Sequence, residues 1–298
     1  MIKYLKVFLS VLSVVLLFGC SNKPSTSDKT IGFVISTLSN PFFVSMKNGA
    51  LETVKSEGYN LVVLDSNNDS AKERANVEDL ITRKIKVIVI NPTDSSAVAA
   101  TVKYANKKDV SIITVDRAAS GGEVVSHIQS DNVKGGQMAA DYINKNLQGQ
   151  GEIIELEGIP GTSAAKERGT GFDNALANTN IKIVAKQTAN FDRTQGLNVT
   201  QNLLQAHPDI QAIFAQNDEM ALGAVRALQE VHKNNIIVVG FDGTKEGIAA
   251  VKAGKMNATI AQQPYLMGEL GAEAAIKVLQ NEAVNKYIVA PLKIITKK

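Results

Sequence analysis

Residues 87–116 read VIVINPTDSSAVAATVKYANKKDVSIITVD, and this stretch decides the fold. An apolar run, Val87 to Ile90, ends at Asn91; a stretch with helical spacing follows; a second run, Ile112 to Val115, ends at Asp116. The Asn and Asp positions recur 126 residues further on. There Ala212 to Ala215 leads through Gln216 to Asn217, and Ile236 to Phe241 ends at Asp242. Each Asn stands 25 positions before its Asp. Ligands of doubly wound α/β sheets sit where the strands release their carboxyl ends, so a duplicated unit predicts two lobes offering matching polar rims to one cleft. The pattern points to binding before it points to catalysis.

Working outward, apolar runs recur at Ile31, Leu61, Val87, Ile112, Ile153, Ile181, Ala212, Ile236 and Ala258, with helical spacing between them. That alternation predicts an α/β fold with two doubly wound parallel-sheet lobes. The runs are continuous, as expected where helices cover both faces of a sheet. Val44 to Gly58 reads as an amphipathic helix with Val44, Met46, Ala50, Leu51 and Val54 on one face. Asp218 to Glu230 reads as another, with Met220, Leu222, Val225, Ala227 and Leu228 inward and acidic residues at its positive end. Asn76, Val77 and Leu80 are expected to head a helix before the first unit, much as Asn198, Val199 and Leu203 do before the second.

At the amino end, Lys3 and Lys6 precede the apolar run Val7 to Phe18, then Gly19 and Cys20, the chain's single cysteine. The run is shorter than the roughly 20 residues of a spanning helix, so residues 1–19 read as an export signal. Leu17, Phe18, Gly19 and Cys20 resemble a bacterial lipobox, which makes Cys20 the expected lipidation site; an ordinary signal peptide with an incidental cysteine is the alternative. Residues 20–29 are polar, contain Pro24, and read as a flexible tether. The roughly 270 residues that follow exceed what one core usually organises, which favours two lobes. With one cysteine no internal disulfide forms, so buried Val, Ile, Leu and Ala must hold the fold. A net charge of +3 without blocks of like charge excludes a nucleic-acid stripe.

Metal and thiol chemistry find no support either. His127, His207 and His232 are scattered, and Cys20 belongs to the export signal. Gly158, Gly161, Gly169 and Gly171 surround a strand-to-helix turn, but neither dinucleotide nor P-loop spacing is present, so they read as turn glycines around a helix that begins near Thr162. No cofactor is expected.

What remains is a polar set after the strands: Ser36, Asn91, Asp116 with Arg117, Asn217, Asp242 and Gln262. Carboxylates that accept, guanidinium groups that donate in a fork and amides that do both suit sugar hydroxyls, which give and take hydrogen bonds. Phe42, Phe43, Phe191 and Phe241 could cover the apolar C–H faces of a sugar ring. Each has a plainer reading. An Asn or Asp after a strand also serves as a helix cap, and Phe42 and Phe43 could be core, although neighbours at a helix start seldom both point inward.

Several segments carry a wider resemblance: Ser36 to Phe43 (STLSNPFF), Asn91 to Asp94 (NPTD), Asp116 with Arg117, Ser126 to Asn132 (SHIQSDN), Gly161 to Arg168 (GTSAAKER), Phe191 to Arg193 (FDR), Gln216 to Leu222 (QNDEMAL) and Gly240 to Gly243 (GFDG). In these the chain resembles the bacterial ribose-binding proteins of ABC import, in the periplasmic-binding-protein family of ribose/galactose type. The likeness covers nearly all of the chain after the tether. It implies a type I periplasmic-binding-protein fold with a three-strand hinge, the crossings falling near Ser130 and Asp131, near Gln262 and Gln263, and near Ala290 to Leu292. The lobes implied are 30–130 plus 263–291 and 131–262 plus 292–298.

Carried over residue by residue, the implied ligand set is Ser36, Asn40, Phe42, Phe43, Asn91, Asp116, Arg117, Arg168, Phe191, Asn217, Phe241, Asp242 and Gln262. The implied ligand is D-ribose or a closely related sugar, and the implied partners are an ABC permease, its ATPase and, through lipidated Cys20, the outer face of the cell membrane. The chain is expected to work as a monomer. Departures from the family pattern lie in the lipid-type amino terminus and in the segment Tyr265 to Tyr287. Other readings stay open: a sugar-responsive repressor core, which would need a DNA-binding head; an enzyme using Asp116 and Asp242 as acid and base; and a sensor for a signalling receptor. Arginines beside both carboxylates favour ionised acceptors over a raised-pKa acid.

Overall fold

In a computed structural model that describes residues 29–297, the chain forms two six-stranded sheets with helices on both faces. The expected export signal, Cys20 and all but the last residue of the expected tether lie outside the described residues. The first sheet contains β1 (Thr30–Ile35), β2 (Asn60–Asp65), β3 (Val87–Ile90), β4 (Ser111–Val115), β5 (Ser126–Ser130) and β11 (Tyr287–Ala290), in the order β11-β5-β4-β3-β1-β2. The second contains β6 (Gln150–Glu157), β7 (Asn180–Thr188), β8 (Ala212–Ala215), β9 (Ile237–Asp242), β10 (Ala258–Ala261) and β12 (Lys293–Thr296), in the order β12-β10-β9-β8-β6-β7. Strand by strand the two orders correspond, so the internal repeat extends to the order of strands in the two sheets, the direction of the edge strand alone excepted.

The continuous apolar runs have the expected cause. In β1, Ile31, Phe33 and Ile35 pack beneath α1 (Pro41–Ser56) and α9 (Pro264–Leu279), while Val34 between them packs against α2 (Ser70–Thr82) and α3 (Val98–Asn106). In the second sheet Ile153 and Phe214 face α4 (Asn132–Leu147) and α5 (Ser163–Leu176), whereas Ile154 and Ile213 face α6 (Arg193–Ala206) and α7 (Asp218–Glu230). Neither face of these strands meets water, so no alternation survives. The remaining helix, α8 (Lys245–Lys252), starts on the cap Thr244, whose side chain accepts the Gly247 N–H.

Both sheets are parallel as expected save for one edge strand, β12, which runs antiparallel to β10: the chain leaves β10 toward the first sheet and returns from β11 through two residues, so β12 starts beside the end of β10 and runs back along it. Two expectations are corrected. Asn76 and Asn198 lie within α2 and α6 and do not head them; Asp69 and Asp192 are the caps. Leu51 leaves the packed face of α1 and is 44% exposed, since the rotation of 3.6 residues per turn carries it past the edge that Ala50 and Val54 define.

The chain changes sheets three times: between β5 and α4, between β10 and α9, and between β11 and β12. Paired helices cross closely at glycines. A Cβ on Gly136 of α4 would overlap the Arg168 carbonyl of α5, and one on Gly268 of α9 would overlap the Met46 carbonyl of α1. These close approaches set where Arg168 and the Phe42–Phe43 pair stand relative to the cleft.

Candidate functional site

In both sheets the loops after the third and fourth strands open toward the other lobe. On the first lobe, Asn91 follows β3 and Asp116 follows β4. Asn91 is fully buried: its Oδ1 accepts from Ser36 Oγ at 2.6 Å, and its Nδ2 donates to the Val115 carbonyl at 3.1 Å and to Asp116 Oδ2 at 3.2 Å. With both ends of its amide engaged, Asn91 orients Asp116 from behind. Arg117 Nη1 donates to the Pro92 carbonyl at 3.1 Å, and its Nε lies 3.6 Å from Asp116 Oδ2 without a hydrogen bond of its own. A buried donor left free in this way is suited to an incoming acceptor.

The second lobe builds its wall from α5, the β7–α6 loop and the ends of β8 and β9. Arg168 is pinned on several sides: Nε donates to Asn132 Oδ1 at 2.9 Å, Nη1 to the Gln216 carbonyl at 2.7 Å, and the guanidinium carbon stands 3.9 Å from the centre of the Phe241 ring. Its Nη1 lies 3.7 Å from Asp242 Oδ1, which also accepts from Gln262 Nε2 at 2.8 Å. Asn217 caps α7 through the Met220 N–H and donates Nδ2 to the Phe191 carbonyl at 3.1 Å, so the cap reading and the wall reading hold together. Phe191, at φ 57°, turns its ring toward Arg117 and Arg168, whose guanidinium carbons lie 5.5 and 5.7 Å from its centre.

Between the walls lies a narrow cavity whose space between atoms, about 240 Å³, runs out into solvent, so the two walls stand nearly shut on one another. Of the residues singled out in the sequence, Asn40, Phe42, Phe43, Asp116, Arg117, Arg168, Phe191, Asn217 and Asp242 line it. Ser36, Asn91, Phe241 and Gln262 stand one layer behind, against Asn91, Asp116, Arg168 and Asp242 in turn. Ala164 also lines the cavity and carries no chemical signal by which a sequence could reveal it. Asn132, Gln216 and Glu73 support the walls without having been singled out as site residues.

Phe42 and Phe43 both turn inward, against the expectation, with ring centres 5.2 Å apart and planes at 87°. They can both be buried because the cleft wall itself is covered by the second lobe. Direct contacts between the lobes seal one margin: the Ser95 N–H donates to the Gly161 carbonyl at 3.1 Å, the Ser163 N–H to Ser95 Oγ at 3.0 Å, and the Ala118 N–H to Ser163 Oγ at 2.9 Å. A side chain on Gly161, which takes φ 90°, would strike Asp94 across the same seam.

The cavity wall pairs two carboxyl groups with two guanidinium groups, all nearly withdrawn from water. Burial pushes Asp242 well above the ordinary aspartate value; Arg168 opposes that rise and Asp218 adds to it. The expectation that its arginine keeps Asp242 an ordinary ionised acceptor is therefore corrected: the loss of water outweighs the neighbouring cation. Burial likewise lowers both guanidinium groups from their usual value, with Asp116 acting back on Arg117 and Asp242 on Arg168. Balanced donors and acceptors beside aromatic faces suit an uncharged polyol, because the two carboxyl groups offset the two guanidinium groups.

Residues 31–283 match the family model described as a periplasmic binding protein domain. The chain is 54% identical over 294 residues to the ribose import binding protein of Salmonella typhimurium, covering 99% of both chains. It is 49% identical over 297 residues to that of Bacillus subtilis, covering 96% of this chain and 97% of the relative. Among solved structures, the Caulobacter myo-inositol binding protein bound to myo-inositol superposes with a TM-score of 0.88 at 33% identity, over 92% of this chain and 95% of that one. A solute binding protein from Actinobacillus succinogenes with bound D-allose gives 0.85 at 33% identity, over 90% and 97%.

Proposed function

The chain belongs to the periplasmic binding protein domain family, and from that premise we propose that it captures D-ribose between its lobes and delivers it to an ABC permease driven by a cytoplasmic ATPase. The observation that carries this reading is the charge-balanced cavity, which takes Asp116 and Arg117 from one lobe and Arg168 and Asp242 from the other. An opened cleft admits sugar to the first wall; closure brings the second wall onto it. The bodies that move are 30–130 plus 263–291 and 131–262 plus 292–298, and the three crossings between sheets serve as the hinge. Sugar drives closure only through its preference for the closed form. Shifting the balance from 1:99 to 99:1 takes about 5.5 kcal/mol, which a few charge-assisted bonds of roughly 1.5 to 3 kcal/mol each supply. No covalent bond of the sugar is made or broken.

The export signal at 1–19 takes the chain across the membrane, and lipidated Cys20 with its tether holds it as a monomer at the outer face. A calorimetric panel of pentoses and hexoses tests the reading, calorimetry being needed because the chain has no Trp. One site per chain with D-ribose bound most tightly supports it. No heat with any sugar would overturn it.

A further inference from the structure

A buried carboxylate stands behind the first lobe's wall, outside the cavity. Glu73, in the first turn of α2, is 1% exposed, and its Oε2 accepts the Thr93 N–H at 2.6 Å. A carboxylate withdrawn from water at such cost calls for a task, since an apolar side chain would pack there without penalty. Thr93 sits in the middle of the loop that follows β3, and both ends of that loop serve the cleft. On one side Asn91 orients Asp116 and the Pro92 carbonyl accepts from Arg117. On the other, Ser95 makes two of the bonds that join the lobes, to the Gly161 carbonyl and from the Ser163 N–H.

We propose that Glu73 is a positioning residue for ligand capture: through Thr93 its carboxyl group fixes the loop that seats Arg117 and joins the two lobes. This rests on the reading of the cleft as a D-ribose site. The charged groups that act on Glu73 are Arg117, at the end of β4, and Asp94, in the same loop as Thr93; the first favours the ionised form and the second opposes it. Burial, the largest influence, places the carboxyl at about 7. A loop that loosens lets water reach this carboxyl and returns it to the ordinary glutamate range, so the ordered loop is favoured while the carboxyl keeps its proton and the acid's carbonyl oxygen accepts the Thr93 N–H. Loop order, and with it sugar affinity, therefore falls as pH climbs through neutrality.

The test uses the whole protein and the variants Glu73→Gln, which keeps shape and an acceptor but no charge, and Glu73→Ala. D-ribose is titrated at pH 6 and pH 8, and amide hydrogen exchange at Thr93 is followed without sugar at one fixed pH. The wild type is expected to bind about fivefold more tightly at pH 6 than at pH 8, as the ionising buried carboxyl comes to oppose the ordered loop. Glu73→Gln, which resembles the protonated acid, should be flat at the tighter value, which separates Glu73 from Asp242, whose carboxyl is also raised. At pH 8 Thr93 should exchange more slowly in Glu73→Gln than in the wild type and, where it folds, faster in Glu73→Ala. A Gln variant with the wild-type pH slope, or with wild-type exchange at Thr93, would overturn the proposal. Failure of the wild type to bind D-ribose at either pH would strike the ligand assignment instead, and exchange at Thr93 would still decide the role of Glu73.

Discussion

Asp116 and Asp242 close the fourth strand of their respective sheets, and both take a left-handed backbone, at φ 64° and φ 115°. That region is costly for a residue with a side chain and persists where the surroundings enforce it. Each carboxyl is held by an amide, Asn91 for one and Gln262 for the other. The two halves thus present a pair of preset acceptors to the same cavity.

Removing one of the pair should weaken sugar binding without unfolding the chain. Asp242→Ala is expected to cost at least tenfold in D-ribose affinity, about 1.4 kcal/mol or more, because the lost acceptor is nearly desolvated. Arg168 keeps Asn132 and the Gln216 carbonyl as partners, so the wall stays formed. A calorimetric isotherm indistinguishable from wild type would remove Asp242 from the site.

Asn91 does not line the cavity, yet Asn91→Ala should reduce both stability and affinity. The substitution strips the Ser36 hydroxyl and the Val115 carbonyl of a buried partner and frees Asp116. A loss of roughly 2 to 3 kcal/mol in denaturant unfolding is expected, accompanied by a severalfold rise in Kd. Reduced stability with unaltered Kd would confine Asn91 to a structural role.

The close crossing of α4 and α5 offers an indirect route to Arg168. Gly136→Ala forces a methyl against the Arg168 carbonyl and the backbone of Phe172. Overpacking of this kind costs about 1 to 3 kcal/mol, and the displaced α5 should carry Arg168 away from Asp242. Melting temperature and D-ribose Kd should therefore worsen together; a lower melting point with intact binding would show that α5 moves without disturbing the guanidinium.

Stability should fall as pH rises through mild acidity. Burial raises Asp218 from 3.8 to about 6, although Thr259 and Thr244 donate to it. The folded chain then binds a proton that the unfolded chain releases earlier. The stabilisation is complete below the unfolded value and is lost as pH climbs to the folded one. The difference is on the order of 2 to 3 kcal/mol between pH 4 and pH 7, and the raised carboxyl of Glu73 extends the decline toward neutrality. Asp218→Asn should flatten the acidic part of the profile, read by thermal melting across that range; an unchanged slope would assign it to other carboxyls.

Much of the architecture was legible because burial on both faces leaves apolar runs, and nine of the twelve strands among the described residues carry one. The rest are short or edge elements: β5 reads SHIQS, while β11 and β12 are four residues each and largely exposed at a sheet edge, so no periodicity betrays them. The site was legible through its repeat of Asn and Asp and through the resemblance that the flanking motifs carry. Depth was not. Ser36, Asn91, Phe241 and Gln262 read like wall residues and stand behind the wall, since a string of residues records type and order but not distance. Ala164 and Glu73 were missed for opposite reasons, the one having no polar group and the other lying within an ordinary helical stretch of charged residues.

A crystal structure grown with D-ribose tests most directly whether both lobes wrap one sugar. It should show a single ring between the Phe42–Phe43 pair and Phe191, with hydroxyls in hydrogen-bond reach of Asp116, Arg117, Arg168 and Asp242. Sugar bound elsewhere, or a cleft without sugar whose side chains turn to solvent, would contradict it.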